Sequence, residues 1–378
     1  MPNVGQAPPI LDFSKFYQND PASKKQLVDE VRNCCLHNGF FQITGHNVPI
    51  ELQNRMMDWN KKFFDLPLEE KNKVNKGTFS TTIKQWPFGT SAHPHPHLDT
   101  TNTWNRGYEL LKSQILEAGT TPELKEGFYI GDEIPKTHPY FLAKKLNSGP
   151  NIWPSSTSLP NVRDFKATSL EYYARVVSLA KDILKVLALT LDLEETYFDA
   201  FATGAVATMR LLHYPPQPPS SPSHLTRGIG AHTDFGCITI LLQDTVSGLQ
   251  VYDHATKEWL DVTPTPGAFV INLGNLMMRW SNDRYVSNLH RVINVSGRER
   301  YSIPVFFSGN PEYVVGCLPN CRGEGEEGRW AEITVEEAIL GGYRESYGRA
   351  EEWKRGQEET RKGEGAKMDV GAQEMVVA

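Results

Sequence analysis

Apolar residues recur at helical spacing through residues 23–38, where Leu27, Val31, Cys35 and Leu36 form one stripe and Asn38-Gly39 supplies a stop. The run GFFQIT that follows, residues 39–44, is compact and β-prone, and the opening PPILDFSKF reads as a short strand entering a turn. A second helix is predicted over 49–64, ending before Asp65-Leu66-Pro67. The strongest helical pattern covers 163–191. There Leu170, Tyr173, Val177, Ile183 or Leu184, Leu187 and Leu191 share one face, as a helix packed on a sheet requires. Strand-like runs then follow at short intervals, over 208–214, 237–243, 249–252, 268–272 and 301–308, with Gly, Pro, Asn and Asp between them. That spacing predicts a sandwich or jelly roll.

From about 77 to 160 no period is sustained, and Thr, Pro, Gly, His and Trp dominate. An irregular stretch of that length is expected to be functional or clamped by tertiary contacts. From about 355 onward the chain is charged and poor in large apolar groups, which predicts an unstructured tail. The expected organisation is an N-terminal α/β region over 1–160, a strand-rich region with its scaffold helix over 161–355, and a tail over 356–378. No internal repeat is present.

The 378 residues are 39% hydrophobic and 22% charged, enough for a sizeable core. A net charge of -6 without any basic concentration argues against nucleic acid as a partner. No apolar run approaches the roughly 20 residues that span a bilayer. The start, MPNVGQAPPILDF, lacks the basic and apolar blocks of a secretory signal, and the closing MVVA matches no retention or prenylation signal. Five cysteines, an odd number, do not read as a disulfide framework. Cys317 and Cys321 are spaced loosely like metal ligands, but no second pair accompanies them. Reduced thiols and a cytosolic compartment are the expectation.

The chemistry concentrates in RGIGAHTDFGCITILLQD, where His232 and Asp234 stand two residues apart beside a β-prone run. On an extended strand, residues i and i+2 face the same side, so an imidazole and a carboxylate can converge on one ion. SNLHRVIN offers a third ligand, His290. Two histidines and one carboxylate on one face of an octahedral iron leave three positions open. Ten residues on, Arg300 and Ser302 stand two apart on another β-prone segment, a fork suited to a carboxylate. A His-X-Asp triplet alone is a weak signal; three ligands followed by a carboxylate clamp is a specific one.

His232-Thr233-Asp234, His290 and Arg300-Tyr301-Ser302 together resemble the isopenicillin N synthase-like family of 2-oxoglutarate/iron(II) dioxygenases. GFFQITGHNVP and KKFFDLPLEEK resemble that family's N-terminal segments, with Asn47 in place of the usual Gly, and the likeness runs from about 10 to 311. The resemblance implies a mixed α/β fold: a distorted double-stranded β-helix, or jelly roll, flanked by helices with iron inside. It carries over His232, Asp234 and His290 as ligands of Fe(II), Arg300 and Ser302 as the clamp for 2-oxoglutarate, and Tyr214 as a further hydrogen-bonding partner. Leu212 departs from the Asn that plant members have at that place. Arg210 resembles an arginine near the cosubstrate in the bacterial ethylene-forming relative. The implied reaction consumes dioxygen, turns 2-oxoglutarate into succinate and oxidises a small organic molecule, with ascorbate as a supporting reductant. Secondary-metabolite biosynthesis is the expected setting, and hydroxylation, desaturation and ring rearrangement stay open.

Around these residues, Trp86, Phe88, Trp104 and Tyr108 lie where family members build part of the substrate pocket, and Phe235 and Phe307 are candidates to face it. His93, His95 and His97 alternate with prolines, which predicts an extended exposed segment rather than a second metal site. Asn272 and Asn275 are accounted for by a turn. Two other functions compete: a catalytically silent binding protein on the same scaffold, and ethylene formation. Against the latter, Ser113 and Gln114 stand where that branch carries adjacent glutamates.

Overall fold

The computed structural model describes residues 5–77, 104–217, 227–323 and 325–374, with side chains of the last helix described to residue 357. Trp86, Phe88, His93, His95 and His97 lie outside the described residues. The strands that frame the interior are β1 Ile10–Asp12, β2 Phe40–Thr44, β3 Gly107–Glu109, β4 Glu126–Ile130, β5 Val206–Tyr214 and β6 Ile229–His232. They continue as β7 Ile238–Gln243, β8 Leu249–Asp253, β9 Glu258–Asp261, β10 Phe269–Leu273, β11 His290–Val292 and β12 Arg300–Gly309. One sheet has eight strands in the order β1-β2-β10-β7-β12-β5-β4-β3, and a second has four in the order β6-β11-β8-β9. Except for the parallel pair β1 and β2, neighbours run antiparallel. The two sheets line one cavity, which is the distorted double-stranded β-helix that the strand spacing and the resemblance predict.

The period-two alternation of these strands sorts side chains between a helix-facing core and the cavity. On β7, Ile238, Ile240 and Leu242 join the large core, while Thr239 and Leu241 line the cavity. On β12, Tyr301, Ile303, Val305 and Phe307 go to the core, and Arg300, Ser302, Pro304, Phe306 and Ser308 to the cavity. On β5, Ala207, Met209 and Leu211 face the core, and Arg210, Leu212 and Tyr214 the cavity. Each fully buried aliphatic side chain on the core face contributes roughly 1.5–3 kcal/mol. The register is therefore held firmly, because a slip of one residue would exchange the two faces.

The helix Val162–Thr190 covers the core face, burying Phe165, Tyr172, Val176, Leu179, Ile183 and Leu187. Leu170 and Val177, read as part of the stripe, sit half-buried at its edge. The last helix, Val335–Glu374, continues past residue 355, where an unstructured tail was expected; Glu, Lys and Arg are good helix formers even without an apolar face. Its first turns bring Ile339 and Tyr343 to the cavity. Strands from the region 1–160 occupy both edges of the larger sheet, with β1 and β2 at one end and β4 and β3 at the other.

Candidate metal centre

Asp234 does not lie on a strand. His232 is the last residue of β6, and Asp234 follows in the connection to β7, so the loop brings the two side chains together rather than the pleat. His290 opens β11 and is paired in register with His232. Among the described residues, these three form the one group that offers three metal-binding atoms, all within 4.8 Å of one another. His232 Nε2 is 3.7 Å and His290 Nε2 3.8 Å from Asp234 Oδ1.

Each imidazole is aimed by its other nitrogen. The Nδ1–H of His232 donates to the Gly230 carbonyl at 2.8 Å, and that of His290 to the Asn288 carbonyl at 3.2 Å, which leaves both Nε2 lone pairs facing Asp234. Burial first, and then the facing His290, push His232 down to about 3, so its ring is neutral and able to ligate. Burial alone would raise the Asp234 carboxyl. The two imidazoles, with hydrogen bonds from Asn272 and Thr239, outweigh it and hold the carboxyl below its ordinary range. Asn272 Nδ2 donates to Asp234 Oδ2 at 2.7 Å, and Thr239 Oγ1 donates to the same oxygen at 2.5 Å. The second oxygen, Oδ1, is left for a metal.

Sequence reasoning missed this role of Asn272. It read the residue as part of a turn, whereas Asn272 lies on β10 and its amide fixes the carboxylate. Removing such a supporting hydrogen bond typically costs 10–100-fold in metal affinity. Asn272→Leu is therefore expected to weaken Fe(II) binding by about that factor in an anaerobic titration, and an unchanged affinity would dismiss the role. Gly274 supports the same loop. A Cβ there would sit 2.2 Å from the Gly236 carbonyl oxygen and 3.0 Å from that of Asp234. Gly274→Ala should cost about 1–3 kcal/mol of stability, read by denaturant unfolding, and lower iron occupancy as well. A variant with wild-type stability and iron content would show that the loop has room to shift.

The carboxylate fork lies at one end of the cavity. Arg300 is fully buried, its Nε donates to the Val246 carbonyl at 3.2 Å and its Nη2 to Gln243 Oε1 at 2.9 Å. Its Nη1 has no partner, and among the described residues no carboxylate pairs with the guanidinium. Ser302 Oγ and Tyr214 Oη, 3.3 Å apart, stand beside it, and the guanidinium lies 4.9 Å from the Tyr214 ring centre. A buried cation with an unused N–H beside two hydroxyls fits one carboxylate of 2-oxoglutarate. The donor set of His232, Asp234 and His290 fits Fe(II) equally well.

Arg210 lines the same cavity. On β5 it stands four residues from Tyr214, the partner of Arg300, and two from Leu212, the partner of Ser302, roughly 13 Å and 7 Å along the strand at about 3.4 Å per residue. Phe235 lines the cavity. Phe307 does not: it is on the opposite face of β12 and packs against Phe201, whereas Phe306 turns inward. Counting by twos from Arg300 would have chosen Phe306. Trp104 packs on Phe141 and bonds the Pro150 carbonyl, and Tyr108 bonds Glu126 in the core, so neither lines the cavity. Lys125, Leu116, Ile339 and Tyr343 do line it, together with Gln114. The wall between the fork and the ligands is apolar, formed by Phe40, Leu212, Leu249 and Val292. Among the described residues, Cys317 and Cys321 are free thiols with no companion ligands, and no helix is long and apolar enough to cross a membrane.

Residues 205–309 match the model of the 2OG-Fe(II) oxygenase superfamily. Residues 8–156 match the model described as non-haem dioxygenase in morphine synthesis, N-terminal. The 2-oxoglutarate-Fe(II) type oxidoreductase hxnY of Emericella nidulans is 58% identical over 349 residues, which cover 92% of this chain and 93% of that protein. Clavatol oxidase claD of Penicillium crustosum is 34% identical, over 90% of this chain and 96% of its own length. Among solved structures, a full-length Neurospora crassa protein in complex with alpha-KG superimposes with a TM-score of 0.73 at 25% identity, covering 90% of this chain and 98% of that one.

Proposed function

This chain belongs to the 2OG-Fe(II) oxygenase superfamily, and from that premise we propose that His232, Asp234 and His290 hold its iron and that Arg300, Ser302 and Tyr214 hold one carboxylate of 2-oxoglutarate. The protein is a 2-oxoglutarate- and Fe(II)-dependent oxidoreductase acting on a small molecule. The observation that carries the residue assignment is the pairing of a three-donor cluster with a buried, carboxylate-free Arg300 in one cavity. When bound, the iron with 2-oxoglutarate and dioxygen supplies the oxidising power: the cosubstrate is decarboxylated to succinate and a C–H bond of the substrate is oxidised.

The side chains supply position. His232 and His290 present Nε2 because Nδ1 of each is held by a backbone carbonyl, while Asp234 presents one oxygen because Asn272 and Thr239 occupy the other. An ion held by these three residues would keep further positions open for cosubstrate and dioxygen. Arg300 sets the direction in which the cosubstrate lies, and the apolar wall of Phe40, Leu212, Leu249 and Val292 keeps water from its chain. The three ligands and the Arg300 fork open into this one cavity.

Relatives named clavatol oxidase claD and 2-oxoglutarate-dependent dioxygenase citB support a small organic substrate of specialised metabolism for this chain. Five free cysteines, four of them buried, support a reducing, cytosolic setting. Incubating the protein with Fe(II), ascorbate, 2-oxoglutarate and air should release succinate, at a slow uncoupled rate without substrate. Absence of oxygen-dependent succinate, together with absence of iron binding, would point instead to a silent protein on this scaffold.

A further inference from the structure

The end of the cavity away from Arg300 carries an excess of buried positive charge. Arg210 reaches it from β5, its guanidinium 4.6 Å from the Tyr129 ring centre and 4.7 Å from that of Phe306. Its Nη2 lies 3.5 Å from the Tyr343 hydroxyl oxygen, its Nε has no partner, and among the described residues it makes no ion pair. Beside it Lys125 lines the same cavity, donating to Gln114 Oε1 at 3.1 Å.

The acids behind this wall do not balance it. Glu109 bridges Lys76 at 2.6 Å and Lys125 at 3.4 Å, so one carboxylate serves two ammonium groups. Glu123, 3.5 Å from Lys125, is raised above the ordinary carboxyl range by burial and is the weaker anion. Burial lowers Lys76 only to about 8, which keeps it cationic near neutrality. Lys76, Lys125 and Arg210 thus face Glu109 and Glu123, and Arg210 is the cation left over. The other end needs no help from it, because the charges of ferrous iron, Asp234, dianionic 2-oxoglutarate and Arg300 cancel. An unmatched buried charge is costly, and an anionic ligand would remove the mismatch.

We propose that the substrate is a small organic carboxylate with a flat apolar body, its carboxylate paired with Arg210 and its body lying along Phe306 and Phe235. This rests on the assignment of iron and 2-oxoglutarate to the ligand cluster and the Arg300 fork. The guanidinium lies close to the Tyr129 and Phe306 rings and keeps Nε without a partner, a donor that a carboxylate can take up. Ile339, Leu116 and Phe235 supply apolar contact for the body, and Tyr343 closes that side from the last helix.

The test uses protein loaded anaerobically with Fe(II) and saturated with 2-oxoglutarate, so that the Arg300 fork is filled. Benzoate and benzamide, a matched charged and uncharged pair, are titrated calorimetrically. Benzoate should bind at least tenfold more tightly than benzamide. Arg210→Met should erase that preference while leaving 2-oxoglutarate affinity unchanged, and Arg210→Lys should restore part of it. Equal binding of the pair, no benzoate binding, or a preference that survives in Arg210→Met would overturn the proposal. So would a loss of 2-oxoglutarate affinity in folded Arg210→Met, which would make Arg210 a cosubstrate residue. Failure of wild-type protein to bind 2-oxoglutarate at all would instead strike the assignment beneath it, and is read in the first step.

Discussion

Replacing His232 by alanine is expected to abolish both iron retention and succinate release, with the fold intact. The substitution removes one of three donors that converge within 4.8 Å, and it does so at the end of β6, outside the large hydrophobic core. Two remaining donors cannot define one face of an ion. Iron content of the purified variant should fall to background, while its circular dichroism and thermal unfolding stay close to wild type. Near-normal turnover in folded His232→Ala would refute the ligand assignment.

Arg300→Met should act on the cosubstrate rather than on the metal. Breaking a buried charge pair costs on the order of 3–5 kcal/mol, which raises the 2-oxoglutarate requirement roughly a hundredfold or more. Arg300→Lys keeps the charge but loses the planar fork, so its requirement should fall between the two. Iron affinity without cosubstrate should be unaffected, because the guanidinium bonds Val246 and Gln243 and not the ligands. Separate titrations of iron and 2-oxoglutarate distinguish these effects. An unchanged 2-oxoglutarate requirement would mean that the fork is elsewhere.

Much of this was legible from patterning. The helix Val162–Thr190 and the strands β5, β7, β8, β10 and β12 fall within about two residues of the periods read in the chain. The same patterns placed Arg300 and Ser302 on one face of β12. What stayed hidden was set by tertiary contacts. β6 and β11 are four and three residues long, too short to carry a period, although they position both histidines. Asn272 looked like a turn residue because its hydrogen bond reaches Asp234, 38 positions away. Phe306 and Phe307 are adjacent and alike, and only counting strand parity separates the cavity residue from the core residue. Lys125 precedes β4 in a stretch without sustained alternation, so nothing local marked it as lining the cavity.

The most direct measurement is a crystal structure of the protein loaded anaerobically with Fe(II) and 2-oxoglutarate. One iron bonded to His232 Nε2, His290 Nε2 and Asp234 Oδ1, with the cosubstrate's distal carboxylate on Arg300 Nη1 and Ser302, is the predicted result. Iron held by other side chains, or a cosubstrate whose distal carboxylate lies against Arg210 instead, would contradict it.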